Sequence, residues 1–226
     1  MSNDFPSLEA AGFSATRDAV HAYSKILGDW LKSCRPKRKH WWHASLRPSL
    51  SGLTTGVVHA GISFELKLDL WNGELQCSTT SRSVRVPLNG RPPMELSRDI
   101  ENFLFSEGLD HRSAPTNRGY GSDGFPAYGS EHARTLACVL NSVASALATF
   151  RAGIREETSP IQLWPHHFDL AMLWLPGGKI PGQDPDNEEY ADKQMNFGFA
   201  FGDDLVPEAY FYATAYPSPE ASSRRG

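Results

Sequence analysis

The chain contains no Gly-x-x-x-x-Gly-Lys-Ser/Thr phosphate-binding loop, no Gly-x-Ser-x-Gly and no His-Glu-x-x-His. One common signature each of nucleotide binding, serine hydrolysis and zinc proteolysis is therefore missing. Cysteine is scarce: Cys34, Cys77 and Cys138 lie far apart and form no Cys-x-x-Cys pair. So sparse a set argues against a disulfide framework and predicts a reducing, cytoplasmic setting. Excess charge is also small, at −4 with a sequence pI of about 6.1. That balance speaks against the electropositive face that broad nucleic-acid binding requires. The one basic run, Lys32, Arg35, Lys37, Arg38 and Lys39, reads as a solvated link after a helix, with anion binding as the alternative. The start, Met1-Ser2-Asn3-Asp4-Phe5-Pro6, lacks the basic and apolar regions of a signal peptide. No apolar run approaches the length that spans a bilayer, so no membrane partner is expected.

What is present is a substantial apolar share, 40% of 226 residues, with six Trp and twelve Phe. Val20, Tyr23, Leu27, Trp30 and Leu31 recur at helical spacing, and Pro36 ends the pattern. Ile62, Phe64, Leu66, Leu68 and Leu70 alternate with polar residues, as in a strand with one wet face. Asn72-Gly73 follows and predicts a tight type I′ hairpin into a strand carrying Leu75 and Cys77. Val84, Val86 and Leu88 suggest a further strand, as do residues 40–47 and 53–58. Pro92-Pro93 opens a helix that Gly108 closes, and Ser130 opens the longest helix, with a stripe from Leu136 to Ile154. Residues 161–175, 195–201 and 209–216 return to β patterning, and residues 110–129 and 176–194 read as long loops. The expected fold is α+β: a single, largely antiparallel sheet with about three helices on one face, forming one domain over residues 1–217. Residues 218–226 read as a disordered tail.

Two strings combine ionisable groups with aromatic surroundings: His40-Trp41-Trp42-His43 and Trp164-Pro165-His166-His167-Phe168-Asp169. If both are strands, parity separates His40 from His43 and His166 from His167, while His167 and Asp169 share a face. A site could then gather His43, His167 and Asp169, or His40 and His166; the pattern leaves both open. Two imidazoles and a carboxylate suit a divalent metal such as zinc or iron, with His40, His43, His166, His167 and Asp169 as the candidate ligands. A His–Asp pair equally suits acid–base catalysis, which makes His43, His167 and Asp169 the candidate catalytic residues. Hydrogen-bonded core histidines are the plain structural alternative. The Tyr210, Tyr212 and Tyr216 ladder reads first as cross-strand packing, and otherwise as a pocket wall.

The string His40-Trp41-Trp42-His43-Ala44-Ser45-Leu46, with Gly52-Leu53-Thr54-Thr55 after it, resembles a largely bacterial family catalogued as domain of unknown function 5996. Ser159-Pro160-Ile161-Gln162-Leu163-Trp164-Pro165-His166-His167-Phe168-Asp169-Leu170-Ala171, Asn196-Phe197-Gly198-Phe199 and Tyr210-Phe211-Tyr212 resemble it too. Lys39 stands where the family frequently has Asn. The resemblance implies membership and carries no catalytic assignment.

Two functional expectations follow. One is an enzyme acting on a small molecule in a pocket lined by His, Asp and aromatic residues, with or without a metal. The other is a non-enzymatic domain that binds a small molecule or peptide on Trp41, Trp42, Trp164 and Tyr212. At least one of the two long loops is expected to border the pocket.

Overall fold

A computed structural model describes residues 6, 8, 12–116, 119–187, 190–203 and 205–218. All but the first residue of the predicted tail lies outside them. Helix α1 (Phe13–Cys34) leads through a 3-10 segment (Lys39–Ala44) into short strands β1 (Arg47–Ser49), β2 (Gly52–Thr54) and β3 (Val58–Ala60). Strands β4 (Ile62–Asp69), β5 (Glu74–Thr79) and β6 (Ser83–Pro87) complete a first antiparallel sheet in the order β1-β2-β4-β5-β6, with β3 also on β4. Helices α2 (Pro93–Ser106) and α3 (Ser130–Ala152) follow. Strands β7 (Glu157–Thr158), β8 (Gln162–Trp164), β9 (Asp169–Leu175), β10 (Gln194–Ala200) and β11 (Tyr210–Tyr216) make a second antiparallel sheet, ordered β11-β10-β9-β7 with β8 on β9.

The α+β class and the three long helices are as the periodicity predicts. The single sheet is not: there are two. They meet at one antiparallel pair, where Leu46 N–H donates to Leu163 O at 2.9 Å and Leu163 N–H donates to Leu46 O at 2.8 Å. Alternation reports a buried face and a wet face, but it does not report which strands share a ladder. Strands β1 and β8 are three residues each, too short to extend the ladder past that pair.

One buried cluster draws on all three helices and both sheets. Helix α1 supplies Tyr23, Ile26, Leu27, Trp30 and Leu31, all fully buried. Helix α3 supplies Leu136, Val139, Leu140, Val143 and Leu147, and touches β1 and β2 of one sheet and β9 and β10 of the other. It is also the exception to the expectation about bilayer-length segments, being long and apolar enough by composition. Here its stripe is spent on bridging the sheets. Ile154, placed in that stripe by its pattern, lies beyond the helix end.

The hairpin at Asn72-Gly73 is present, but its loop is longer than predicted. Asp69 pairs with Glu74, leaving residues 70–73 as the loop, and only Gly73 among them has positive φ, at 70°. The reason is the Asp69 carboxylate, which accepts from the Asn72 backbone, the Asn72 amide and the Gln76 amide, each at 3.1 Å. Burial pushes the Asp69 pKa up, but the Asn72 bonds and the Lys67 charge hold it below the usual carboxylate range.

Leu46 and Leu163 are both fully buried at the junction of the sheets. Leu46→Ala and Leu163→Ala should each cost about 2–5 kcal/mol in chemical denaturation. Because the two sites share one contact, the double variant should cost less than the sum. Strict additivity would mean that the junction does not couple the sheets.

Candidate functional site

The two His-rich strings do meet, but neither is a strand where it carries its histidines. Residues 39–44 form tight 3-10 turns in which His40 (φ 53°, ψ 27°) and Trp41 (φ 57°, ψ 22°) are both left-handed. Residues 165–168 are the loop of the β8–β9 hairpin, closed by Phe168 N–H donating to Trp164 O at 2.8 Å, and Phe168 is left-handed too, at φ 56°. For a residue with a Cβ this conformation costs roughly 1–2 kcal/mol. Of the four such residues among those described, three lie in these strings and the fourth is Asn89, of a type that tolerates the conformation. Strain of this kind persists only where surrounding structure enforces it.

The enforcing contacts are specific. Ser45 Oγ donates to Gln162 Oε1 at 2.6 Å, tying the first string to β8. Trp164 Nε1 donates to the carbonyl of His40 at 3.2 Å. Phe168 stacks on the ring of His21 at 5.0 Å and against Phe201 at 5.4 Å. Gly28 opens the way for the hairpin loop to reach α1, since a Cβ there would lie 2.8 Å from Pro165 Cγ.

The predicted parity groupings therefore fail, because parity applies only to extended chain. His43, expected beside His167 and Asp169, is buried; its Nδ1 accepts from Arg38 N–H at 3.1 Å and its ring stacks on Trp41 at 5.7 Å. His166, expected beside His40, projects to the other side of Trp41, into a cleft with Lys25, Asp29 and Lys32. Burial and the nearby lysine charges hold the His166 pKa below the ordinary imidazole value. Trp42 is half-buried and packs near the ring of His40.

What converges instead is His40, Trp41, Trp164, His167 and Asp169, lining an open cup of about 350 Å³. Its floor is the face of the second sheet turned away from the helices. The register puts Asp169, Ala171 and Leu173 of β9, Asn196 and Gly198 of β10, and Tyr212 and Thr214 of β11 on that one face. The opposite face carries Leu170 and Phe199 into the core and Phe197 against Phe150 of α3. Tyr190, from the second long loop, and Tyr216 also line the cup, their rings 5.1 Å apart.

At the centre lies a carboxyl–phenol pair. Tyr212 Oη donates to Asp169 Oδ2 in a short hydrogen bond, and Asn196 Nδ2 donates to Tyr212 Oη at 3.4 Å. Asp169 Oδ1 is buried and has no partner among the described residues. Burial raises the Asp169 pKa above the usual carboxylate value, against the opposing pull of Tyr212 and of the nearby His167. Burial and the adjoining carboxylate raise the phenol of Tyr212 as well.

Tyr212 reaches across β10 only because residue 198 is glycine. A Cβ there would sit 2.5 Å from Tyr212 Cζ and Oη and 2.6 Å from Ala171 Cβ. A glycine inside a strand commonly marks such a crossing, so this signal stood in the Asn196-Phe197-Gly198-Phe199 string. His21 was also missed. Its position on a polar helix side hid a half-buried ring under Phe168, where burial and Lys25 lower its pKa to about 4.

The candidate metal set gains no support from this arrangement. Among the described residues no three His, Cys, Asp or Glu side chains converge as ligands would. The left-handed turns send His43 and His166 away from the point where His167 and Asp169 meet.

The features so far define a two-sheet α+β protein with a carboxyl-centred cup on the exposed face of one sheet. Residues 5–225 match the model of a family of unknown function, DUF5996, and the chain belongs to that family. No curated protein and no solved structure matches it.

Gly198→Ala should overpack the floor, costing about 1–3 kcal/mol in thermal or urea unfolding. An unchanged melt would show that the Tyr212 ring can move aside freely. Asp169→Asn tests the buried charge. A carboxyl whose folded pKa is raised holds its proton longer than the unfolded chain does, so it costs stability as pH rises. The variant should melt above wild type near neutral pH, and the gap should close below the ordinary carboxylate value of about 4. A gap that widens toward acid pH would reverse the assignment.

Proposed function

We propose that the chain is an enzyme acting on a small molecule held in the cup, with Asp169 moving a proton and Tyr212 positioning it. One observation carries the reading. Asp169 offers a buried oxygen with no hydrogen-bond partner among the described residues while its other oxygen is anchored to Tyr212. A buried polar atom left in that state costs about 1–3 kcal/mol, a cost a ligand group would offset. The raised pKa brings the carboxyl nearer to neutrality, where acid–base groups work best. His167 lies exposed at the rim, placed to relay a proton between Asp169 and water. The clustering of left-handed residues around the cup supports the same view, since such strain commonly marks functional sites.

The aromatic rim of Trp41, Trp164, Tyr190 and Tyr216 favours a second reading, a domain that binds a small molecule without turnover. One experiment addresses both. Purified wild type and Asp169→Asn would be incubated with a small-molecule extract, and mass spectrometry would follow retained and consumed compounds. The enzyme reading expects a compound consumed by wild type, with turnover reduced about 10²–10⁴-fold in Asp169→Asn. Retention without consumption supports the binding domain. Neither retention nor consumption sinks both.

A further inference from the structure

We propose that the cup recognises a protonated amine, a small ammonium ligand whose N–H donates to Asp169 Oδ1 and whose charge rests among aromatic faces. This deepens the reading of the cup as a ligand site and rests on it.

The charge inventory comes first. Among the described residues that line the cup, Asp169 is the one carboxylate, and there is no lysine or arginine. Of the cations close in sequence to its walls, Lys39 pairs with Asp192 at 3.3 Å, as does Lys179 at 2.8 Å, and Lys193, next to Gln194, is not part of the lining. An anionic ligand would therefore meet a buried carboxylate with no cation beside it, an arrangement that low local dielectric makes costly. The acceptor comes second. Oδ1 requires a donor, and the neighbouring donors Tyr212 Oη and Asn196 Nδ2 are directed elsewhere in the pair already described. A neutral donor would satisfy its geometry but leave the buried charge uncompensated. An ammonium group does both.

The walls are the third observation. Trp41, Trp164, Tyr190 and Tyr216 all line the cup. Aromatic faces carry negative potential and attract a cation within about 6 Å, an effect that grows when the site is desolvated. Trp41 already receives the Lys32 ammonium at 5.7 Å from its ring centroid. Its left-handed backbone helps hold the indole between that cleft and the cup. At about 350 Å³ the cup sits at the small end of ligand pockets, which suits a single amine with one ring or a short chain.

The test uses four probes of one shape: benzylamine, N,N,N-trimethylbenzylammonium, benzyl alcohol and benzoate. Each is titrated calorimetrically into the full chain at about pH 8, where free imidazoles are neutral. Benzylamine should bind most tightly, the quaternary cation more weakly for want of an N–H, the alcohol weaker again, and benzoate not at all. Asp169→Asn should weaken benzylamine at least ~10-fold while leaving the alcohol within ~2-fold. Trp41→Ala, a change at a partly exposed side chain, should weaken both cations more than the alcohol. Thermal melts of both variants check folding independently.

Equal binding of amine and alcohol, tighter binding of benzoate, or no amine binding at millimolar concentration would each overturn the proposal. If the alcohol or benzoate binds best and Asp169→Asn abolishes it, the cup remains the ligand site and only the ammonium assignment falls. If a probe binds but no cup variant alters it, the underlying reading of the cup falls as well.

Discussion

The site depends on two backbone hydrogen bonds, those exchanged by Leu46 and Leu163. Leu46 lies three residues after His43 of the first His-rich string, and Leu163 immediately precedes Trp164 of the second. With those bonds made, His40 and Trp164 are brought within hydrogen-bond reach, and the cup acquires its wall. The pair is also the seam between two sheets that share packing on α3. The bonds are short and the side chains fully buried, so water does not compete for them. The core thus does more than stabilise. It sets the relative position of segments more than a hundred residues apart.

Above that seam the architecture divides labour between the faces of the second sheet. One face takes Leu170 and Phe199 into the core. The other was left without a helix, and polar residues gather on it in register. A sheet covered on both sides would have buried Asp169 with no route to solvent. Here the carboxyl is deep enough to be desolvated, yet it opens into a cup.

Much of this was legible in the sequence. Periodicity places α1 and α3, and alternation places β4, β10 and β11 to within a residue or two at most ends. The aromatic setting of the histidines correctly marked both strings as places that need partners. What alternation could not supply was the pairing of strands across the chain, hence the single sheet in place of two. Nor does anything in His40-Trp41 announce two successive left-handed residues, because tertiary contacts enforce that conformation against intrinsic preference. The face assignments for His43 and His166 failed for that reason. Asp169 and His167 do line one cup, but strand parity is not the reason, since Phe168 between them is left-handed. Tyr212 was legible as part of a ladder and as a candidate ligand contact, but not as the partner of Asp169, and Gly198 was the overlooked clue that the ring crosses its neighbour.

The vacancy above Gly198 has a consequence for how such chains diverge. Three residues on three neighbouring strands, Asp169, Gly198 and Tyr212, occupy one shared volume. A side chain gained at the middle position cannot coexist with the phenol lying across it, and a phenol lost leaves the carboxyl with neither of its oxygens satisfied. Substitutions at these positions should therefore travel together through descent. Lineages that abandon the pair would shed all three identities nearly at once, and those that keep it would keep the gap.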